Sequence, residues 1–261
     1  VKRTQIFLHK KLPAVPFKIK SEEHTLKTVE ARGLSYTFKE SQRGVSGVNL
    51  SIRKGSFSII TGRIGSGKTT LIKTLIGLQR PTQGEVHVLG HQQPTLKVSK
   101  EIGYMAQSDA LYEDLSARGN LSYFGKLYGL RKDILKNRVN FVLAFVDLLK
   151  DADRPVRYFS GGMKRRLSLA ISLVHQPPFL LLDEPTVGID PTLKQLFWKE
   201  FESLRENGVT LLITTHIMDE AERCDRLLLI QNGQLVVSGT PDMLKQKFGS
   251  IENAFLKREE V

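Results

Sequence analysis

Gly62-Arg63-Ile64-Gly65-Ser66-Gly67-Lys68-Thr69 fills every fixed position of the pattern Gly-x-x-x-x-Gly-Lys-Ser/Thr. It follows the apolar run Ser56-Phe57-Ser58-Ile59-Ile60 and opens a helical stretch expected over Lys68 to Leu78. Strand, glycine loop and helix in that order form a cradle for phosphates. The glycines let successive backbone N–H groups point into one concavity, and the helix start adds unsatisfied donors and the positive end of its dipole. Lys68 supplies a mobile point charge for the β- and γ-phosphates. Thr69, with Thr70 beside it, supplies a hydroxyl for the magnesium that accompanies a nucleoside triphosphate. A glycine turn that merely joins strand to helix is the plain alternative; all fixed positions in this context speak against it.

The chain has 261 residues, 40% of them hydrophobic, enough for one large domain or two small ones with a real core. No stretch approaches the roughly 18 consecutive apolar residues of a membrane span, and the start lacks a signal-peptide core, so a soluble or peripheral protein on the cytoplasmic side is expected. Cys224 is the only cysteine. No intrachain disulfide can form, no Cys/His metal cluster is offered, and Cys224 is expected as a buried small side chain. The net charge of +12 implies an anionic partner without choosing among nucleotide, nucleic acid and acidic membrane. Part of the excess lies in Lys2, Arg3, Lys10, Lys11, Lys18 and Lys20, which with Pro13 and Pro16 make residues 1–24 a loosely ordered basic leader, either a solvated tail or a contact with anionic headgroups.

From Thr25 onward, short β-rich runs alternate with helical ones, the mark of an α/β domain on a largely parallel sheet. Strands are expected near Lys27–Phe38, Gly47–Ile52, Phe57–Thr61, Glu85–Leu89, Ile102–Ala106, Phe179–Asp183, Thr210–Thr214, Arg226–Gln231 and Gln234–Ser238. Between Asp109 and Arg157 the pattern changes: Leu121, Phe124, Leu127 and Leu130, then Val139, Val142, Phe145, Val146 and Leu149, recur at helical spacing. This is a helical insertion, about 109–175, within a domain of residues 25–239. Thr240-Pro241-Asp242 starts a helix with proline at its first position, and residues 240–261 form a helical extension whose last helix is expected over Ile251 to Glu259.

Phe179-Leu180-Leu181-Leu182-Asp183-Glu184 is an apolar run ending in two carboxylates. Such a run suits a central parallel strand covered on both faces, and ligands of open α/β sheets lie beyond the carboxyl ends of those strands. Adjacent residues of an extended chain point apart, so Asp183 can turn to a magnesium shell and Glu184 to a water attacking the γ-phosphate. Carboxylates at a strand end also cap turns; the phosphate loop upstream gives this pair its role.

Shortly before that strand lies Tyr158-Phe159-Ser160-Gly161-Gly162-Met163-Lys164-Arg165-Arg166-Leu167. With this segment the chain resembles the ATP-binding cassette (ABC) ATPases over roughly Thr25 to Ser238. The resemblance implies a phosphate-loop NTPase core with a mainly parallel sheet, an antiparallel β-subdomain and the helical insertion. It implies ATP and Mg²⁺ as ligands. Ser160, Gly161 and Gly162 would close, from one subunit, over the ATP held by another; as a helix start without lysine they are only half an anion site. Gln107 matches the glutamine that touches magnesium and the attacking water, Asp190 the aspartate at the dimer seam, and His216 the switch histidine near the γ-phosphate. Phe38, or Tyr36 on the same face, would stack on adenine.

Phe159 and Met163 stand where leucine and glutamine are usual, and with Pro185-Thr186-Val187-Gly188-Ile189-Asp190-Pro191 they look like exporters of drugs, antibiotics and lipids whose permease is a separate polypeptide. The implied partners are an integral-membrane permease and a second ATPase subunit, identical or closely related, with the chain peripheral at the cytoplasmic membrane face and no nucleic acid expected. Leu111, Tyr112, Tyr123, Phe124 and Tyr128 are candidates for the permease contact, against burial in the insertion's own core. Two rivals remain: a cassette ATPase working on nucleic acid or ribosomes, and a small-molecule kinase or GTPase, which would not need the Ser-Gly-Gly segment.

Overall fold

Continuous apolar runs become the central strands, as burial on both faces requires. The computed structural model describes residues 27–39, 43–108 and 110–256; the basic leader and the expected end of the last helix lie outside them. The larger sheet holds β3 (Phe57–Thr61), β6 (Ile102–Met105), β7 (Phe179–Asp183), β8 (Thr210–Thr215), β9 (Arg226–Gln231) and β10 (Gln234–Gly239), introduced here by chain position. Its order is β10-β9-β3-β8-β7-β6, parallel except for β10, which pairs antiparallel with β9 at one edge. Every residue of β3, β7 and β8 is buried. The smaller sheet is antiparallel, in the order β2-β1-β4-β5, from β1 (Lys27–Thr37), β2 (Arg43–Arg53), β4 (Gln83–Val88) and β5 (His91–Gln92).

The period-2 geometry of the central strands divides the core in two. Ile59, Leu180, Leu182, Leu211 and Ile213 face one side, where they pack with Trp198 and Phe201 of α5 (Pro191–Glu206) and with the inner faces of α2 (Ala117–Leu127), α3 (Lys132–Phe145) and α4 (Gly161–Leu173). Ile60, Phe179, Leu181, Leu212 and Leu228 face the other side, packing with Leu71, Ile72 and Leu75 of α1 (Lys68–Leu75) and with Val29, Leu34, Ile52 and Val86 of the antiparallel sheet. The helix behind the phosphate loop is thus clamped between two sheets, which holds the loop from below.

Helices α2, α3 and α4 all lie between β6 and β7 in the chain, the expected helical insertion. Short helix α6 (Met218–Ala221) follows β8, and α7 (Pro241–Phe248) and α8 (Ile251–Leu256) follow β10; Thr240 caps α7, its Oγ1 accepting from the Met243 N–H at 3.2 Å. Three boundaries within the described residues differ from expectation by more than one residue. Helix α1 stops at Leu75 rather than Leu78, because Gly77 adopts φ +79° and turns the chain against Gln93 and Pro94. Strand β2 begins at Arg43 and β4 at Gln83, each earlier than read, since pairing with β1 outweighs the polar, glycine-bearing sequence. The two-residue β5 was not foreseen; its two residues carry no periodic signal.

Candidate nucleotide site

Between β3 and α1 the loop leaves little room for side chains. A Cβ on Gly62 would lie 2.3 Å from the Ile230 carbonyl oxygen, and one on Gly67, at φ +105°, 2.6 Å from that of Gly44. Lys68 is 6% exposed, and its ammonium donates to the carbonyls of Gly62 at 2.8 Å and Arg63 at 3.1 Å, spanning the loop. Burial lowers the Lys68 pKa, and the nearby carboxylates of Glu184 and Asp183 oppose that shift. Above the loop opens a cleft of about 380 Å³ lined by Phe38, Gly44, Ile64, Gly65, Gly67, Lys68, Thr69, Thr70, Gln107 and Glu184. That is ample for a phosphate-bearing ligand. Phe38 is 40% exposed, meets Tyr36 edge-on with ring centroids 5.0 Å apart and, unlike Tyr36, lines the cleft. Arg63 and Ile64 are exposed, and Ser66 is buried.

The parallel register of β7 and β8 sets Asp183 opposite Thr214. The Thr214 hydroxyl donates to Asp183 Oδ1 and accepts from the Glu184 N–H at 3.0 Å. Asp183 is 1% exposed, and its Oδ2 is buried without a hydrogen-bond partner. A buried ionised oxygen left bare is costly, so this atom suits a cation. Glu184 stands at φ +52°, a conformation that costs a residue with a side chain about 1–3 kcal/mol. Its carboxylate meets His216 Nδ1 at 3.1 Å through Oε1 and accepts from Gln107 Nε2 at 3.5 Å through Oε2. Two strand ends and the turn after β6 thereby converge on one carboxylate at the mouth of the cleft.

Two anchoring residues were not assigned from sequence. Arg165, 7% exposed in α4, donates through one nitrogen to the carbonyls of Ala106 (2.8 Å) and Gln107 (2.9 Å), and through another to those of Asp183 (2.5 Å) and Glu184 (2.7 Å). Each charge-assisted bond contributes about 1.5–3 kcal/mol, so the set outweighs the strain at Glu184. Arg165 sits in a basic run, Lys164-Arg165-Arg166, that reads as a solvated face; only helical phase with Leu169, four residues on, marks it as inward. Glu220, 1% exposed, accepts from Thr186 (2.6 Å) and Thr215 (2.5 Å) and pairs with Lys194 (2.6 Å), tying the segment after Glu184 to the residue before His216. Gly44 was likewise unassigned, lying in a stretch without periodicity.

Ser160, Gly161, Gly162 and Asp190 do not line this chain's own cleft. Ser160 caps α4, its hydroxyl accepting from the Met163 N–H at 3.2 Å, and both Ser160 and Gly161 are exposed. Asp190, also exposed, caps α5 through Leu193 N–H at 3.0 Å. A Cβ on Gly162 would lie 3.5 Å from the Gly188 carbonyl oxygen, so the two helix starts are neighbours. In the insertion, Tyr112 and Tyr123 are exposed with their hydroxyls 3.3 Å apart, whereas Leu111 and Phe124 are half-buried and Tyr128 stacks on the half-buried His175 ring. Cys224 is half-buried rather than fully buried, its thiol pushed up to about 12 by burial.

A phosphate loop under a paired carboxylate, on a parallel sheet with a helical insertion, defines a nucleotide-binding phosphate-loop protein. Residues 45–187 match the family described as ABC transporter. Over 226 residues the chain is 38% identical to the probable multidrug ABC transporter ATP-binding protein YbhF of Escherichia coli (strain K12), covering 86% of this chain and 39% of that protein. It is 38% identical over 219 residues to the Nod factor export ATP-binding protein I of Ralstonia nicotianae, covering 83% and 68%. A solved ATP-binding subunit of an ABC transporter superposes with a TM-score of 0.80 at 26% identity, covering 88% of this chain and 98% of that one. A dimeric ATP-binding cassette in a post-hydrolysis state with ADP and Pi superposes with a TM-score of 0.76 at 25% identity, covering 81% and 98%. The chain belongs to the ABC transporter family, and its fold is that of the family's ATP-binding cassette. It spans well under half the length of YbhF.

Proposed function

We propose that this chain binds and hydrolyses ATP as the motor subunit of an exporter, with residues 25–239 as the ATPase unit and 240–261 as an extension. The observation that carries the reading is the Glu184 carboxylate, held by His216 at 3.1 Å and Gln107 at 3.5 Å in the cleft that Lys68 lines. Glu184 polarises a water toward the γ-phosphorus, and His216 and Gln107 fix the direction of attack. Lys68 and the loop N–H groups stabilise the charge that builds on the phosphate oxygens as the bond to ADP breaks. Phe38 stacks on the adenine. Thr69, Asp183 through its unpartnered Oδ2, and Gln107 hold magnesium, which when bound draws charge from the β- and γ-phosphates.

Ser160, Gly161 and Asp190 are exposed, and neither they nor Gly162 line their own cleft. This supports a head-to-tail pair in which each subunit's clamp closes over the other's ATP, and hydrolysis removes the bridge. The second subunit is a copy or a close relative. No helix of the described residues is long and apolar enough to cross a membrane. In this reading the chain drives an integral-membrane permease; the exposed Tyr112 and Tyr123 edge of the insertion is our candidate contact, with the chain peripheral on the cytoplasmic face. The names of the relatives, a probable multidrug ABC transporter ATP-binding protein and a Nod factor export ATP-binding protein, support export as the direction. Purification from gently solubilised membranes tests this: a polytopic membrane protein should accompany the chain in fixed ratio. Strong, salt-sensitive binding to RNA or DNA without such a protein would overturn it.

A further inference from the structure

The α4 helix reaches two sites. Its first residues form the exposed start at Ser160 and Gly161, and little more than one turn later Arg165 is buried against the chain's own nucleotide cleft. Arg165 does not itself line the cleft; its guanidinium holds four backbone carbonyls from two separate segments, Ala106 and Gln107 after β6, and Asp183 and Glu184 at the end of β7. Those segments carry the two groups that flank the attacking water in the reading above. Lysine could not do the same, because a point donor lacks the planar fork that serves two pairs of acceptors at once.

We infer that Arg165 is a positioning residue for hydrolysis: it locks Gln107 and Glu184 into one register and makes that register depend on the seating of α4. Because α4 begins at the clamp, a shift of the helix start against another subunit's nucleotide is carried by a rigid turn and a half of helix to the carboxylate of this subunit's own site. The positive φ of Glu184 makes the dependence steep, since a residue held off its preferred backbone conformation relaxes once its carbonyls are released. The inference rests on the proposed ATPase reading and adds to it a direct mechanical link from clamp to carboxylate within one chain.

The test compares Arg165→Lys and Arg165→Gln with the parent in the full chain, measuring ATP turnover, KM and the affinity for a non-hydrolysable ATP analogue. Arg165→Lys keeps the buried charge, so it gives a folded variant to measure should Arg165→Gln not fold. Nucleotide affinity and KM should stay within about twofold while kcat falls about ten- to a hundredfold, as misplacement of a reacting group by a fraction of an ångström predicts, with Lys the milder change. A kcat at the parental level in either folded variant overturns the inference, as does a loss that falls on nucleotide affinity instead. Parental ATP turnover that Glu184→Gln leaves untouched would defeat the underlying ATPase reading instead, so the two failures are distinct.

Discussion

His216 and Glu184 meet at 3.1 Å, imidazole Nδ1 to carboxylate Oε1, from the ends of adjacent parallel strands β8 and β7. The contact follows from register. With Asp183 opposite Thr214, each chain continues one or two residues past its last ladder bond, and the two side chains converge over the phosphate loop. A carboxylate met by the His216 ring nitrogen on one oxygen and by the Gln107 amide on the other keeps a fixed orientation, and each oxygen still has a lone pair for water.

Replacing His216 by Ala should therefore lower turnover by at least about tenfold while ATP affinity changes less than about twofold. Steady-state kinetics and a fluorescent-nucleotide titration separate the two. An unaltered kcat would remove His216 from the reaction.

Lys68→Ala should abolish measurable nucleotide binding. The buried ammonium is the one side-chain cation among the described residues lining the cleft, and the loop glycines alone offer only dipoles. Isothermal titration with Mg-ATP decides; affinity close to that of the parent would contradict the cradle assignment.

What the chain disclosed in advance, and what it withheld, follows from the range of the interactions. The phosphate loop, the strand ending at Asp183 and the helical insertion rest on local patterns, glycine spacing, a continuous apolar run and the 3.6 period, and each lies where these patterns put it. Strand starts such as Arg43 and Gln83 depend on pairing partners far along the chain, so their own sequence understated them. Arg165 and Glu220 were missed for a related reason. A charged side chain in a helix reads as solvated, and only the tertiary fold brings four carbonyls to one and two hydroxyls and an ammonium to the other. The clamp was recognisable by resemblance, and its outward exposure is visible only in three dimensions.

Gly161→Asp probes that clamp without disturbing the monomer. A Cβ there meets nothing within 4 Å, and a carboxylate in the first turn of α4 suits the helix dipole. The variant should fold normally and bind ATP with parental affinity, yet fail to dimerise and lose most turnover, since its new charge faces another subunit's phosphates. Analytical ultracentrifugation with and without ATP reads the outcome, and parental dimerisation would exclude Gly161 from the seam.

His175 predicts how the fold responds to acid. Its ring stacks on Tyr128 with centroids 3.7 Å apart, and burial pushes its pKa from 6.5 down to about 4; Arg138 pushes the same way, while the Ile102 carbonyl opposes. The folded state therefore disfavours the proton that the unfolded chain accepts. Stability is intact above about pH 6.5 and falls as pH drops toward about 4, by up to about 1.4 kcal/mol per unit. Urea midpoints at pH 7, 6 and 5 should decline, and His175→Phe should flatten that decline. An equal slope in the variant would assign the acid loss to other groups.

The central claim is that ATP bridges two copies of this fold until Glu184 directs its hydrolysis, and Glu184→Gln tests it most directly. The variant keeps the shape of the side chain and removes its charge. Size-exclusion chromatography with Mg-ATP should show a dimer that persists while phosphate release falls to background, where the parent dimerises only transiently. A variant that hydrolyses ATP at the parental rate, or that stays monomeric with ATP bound, would contradict the account.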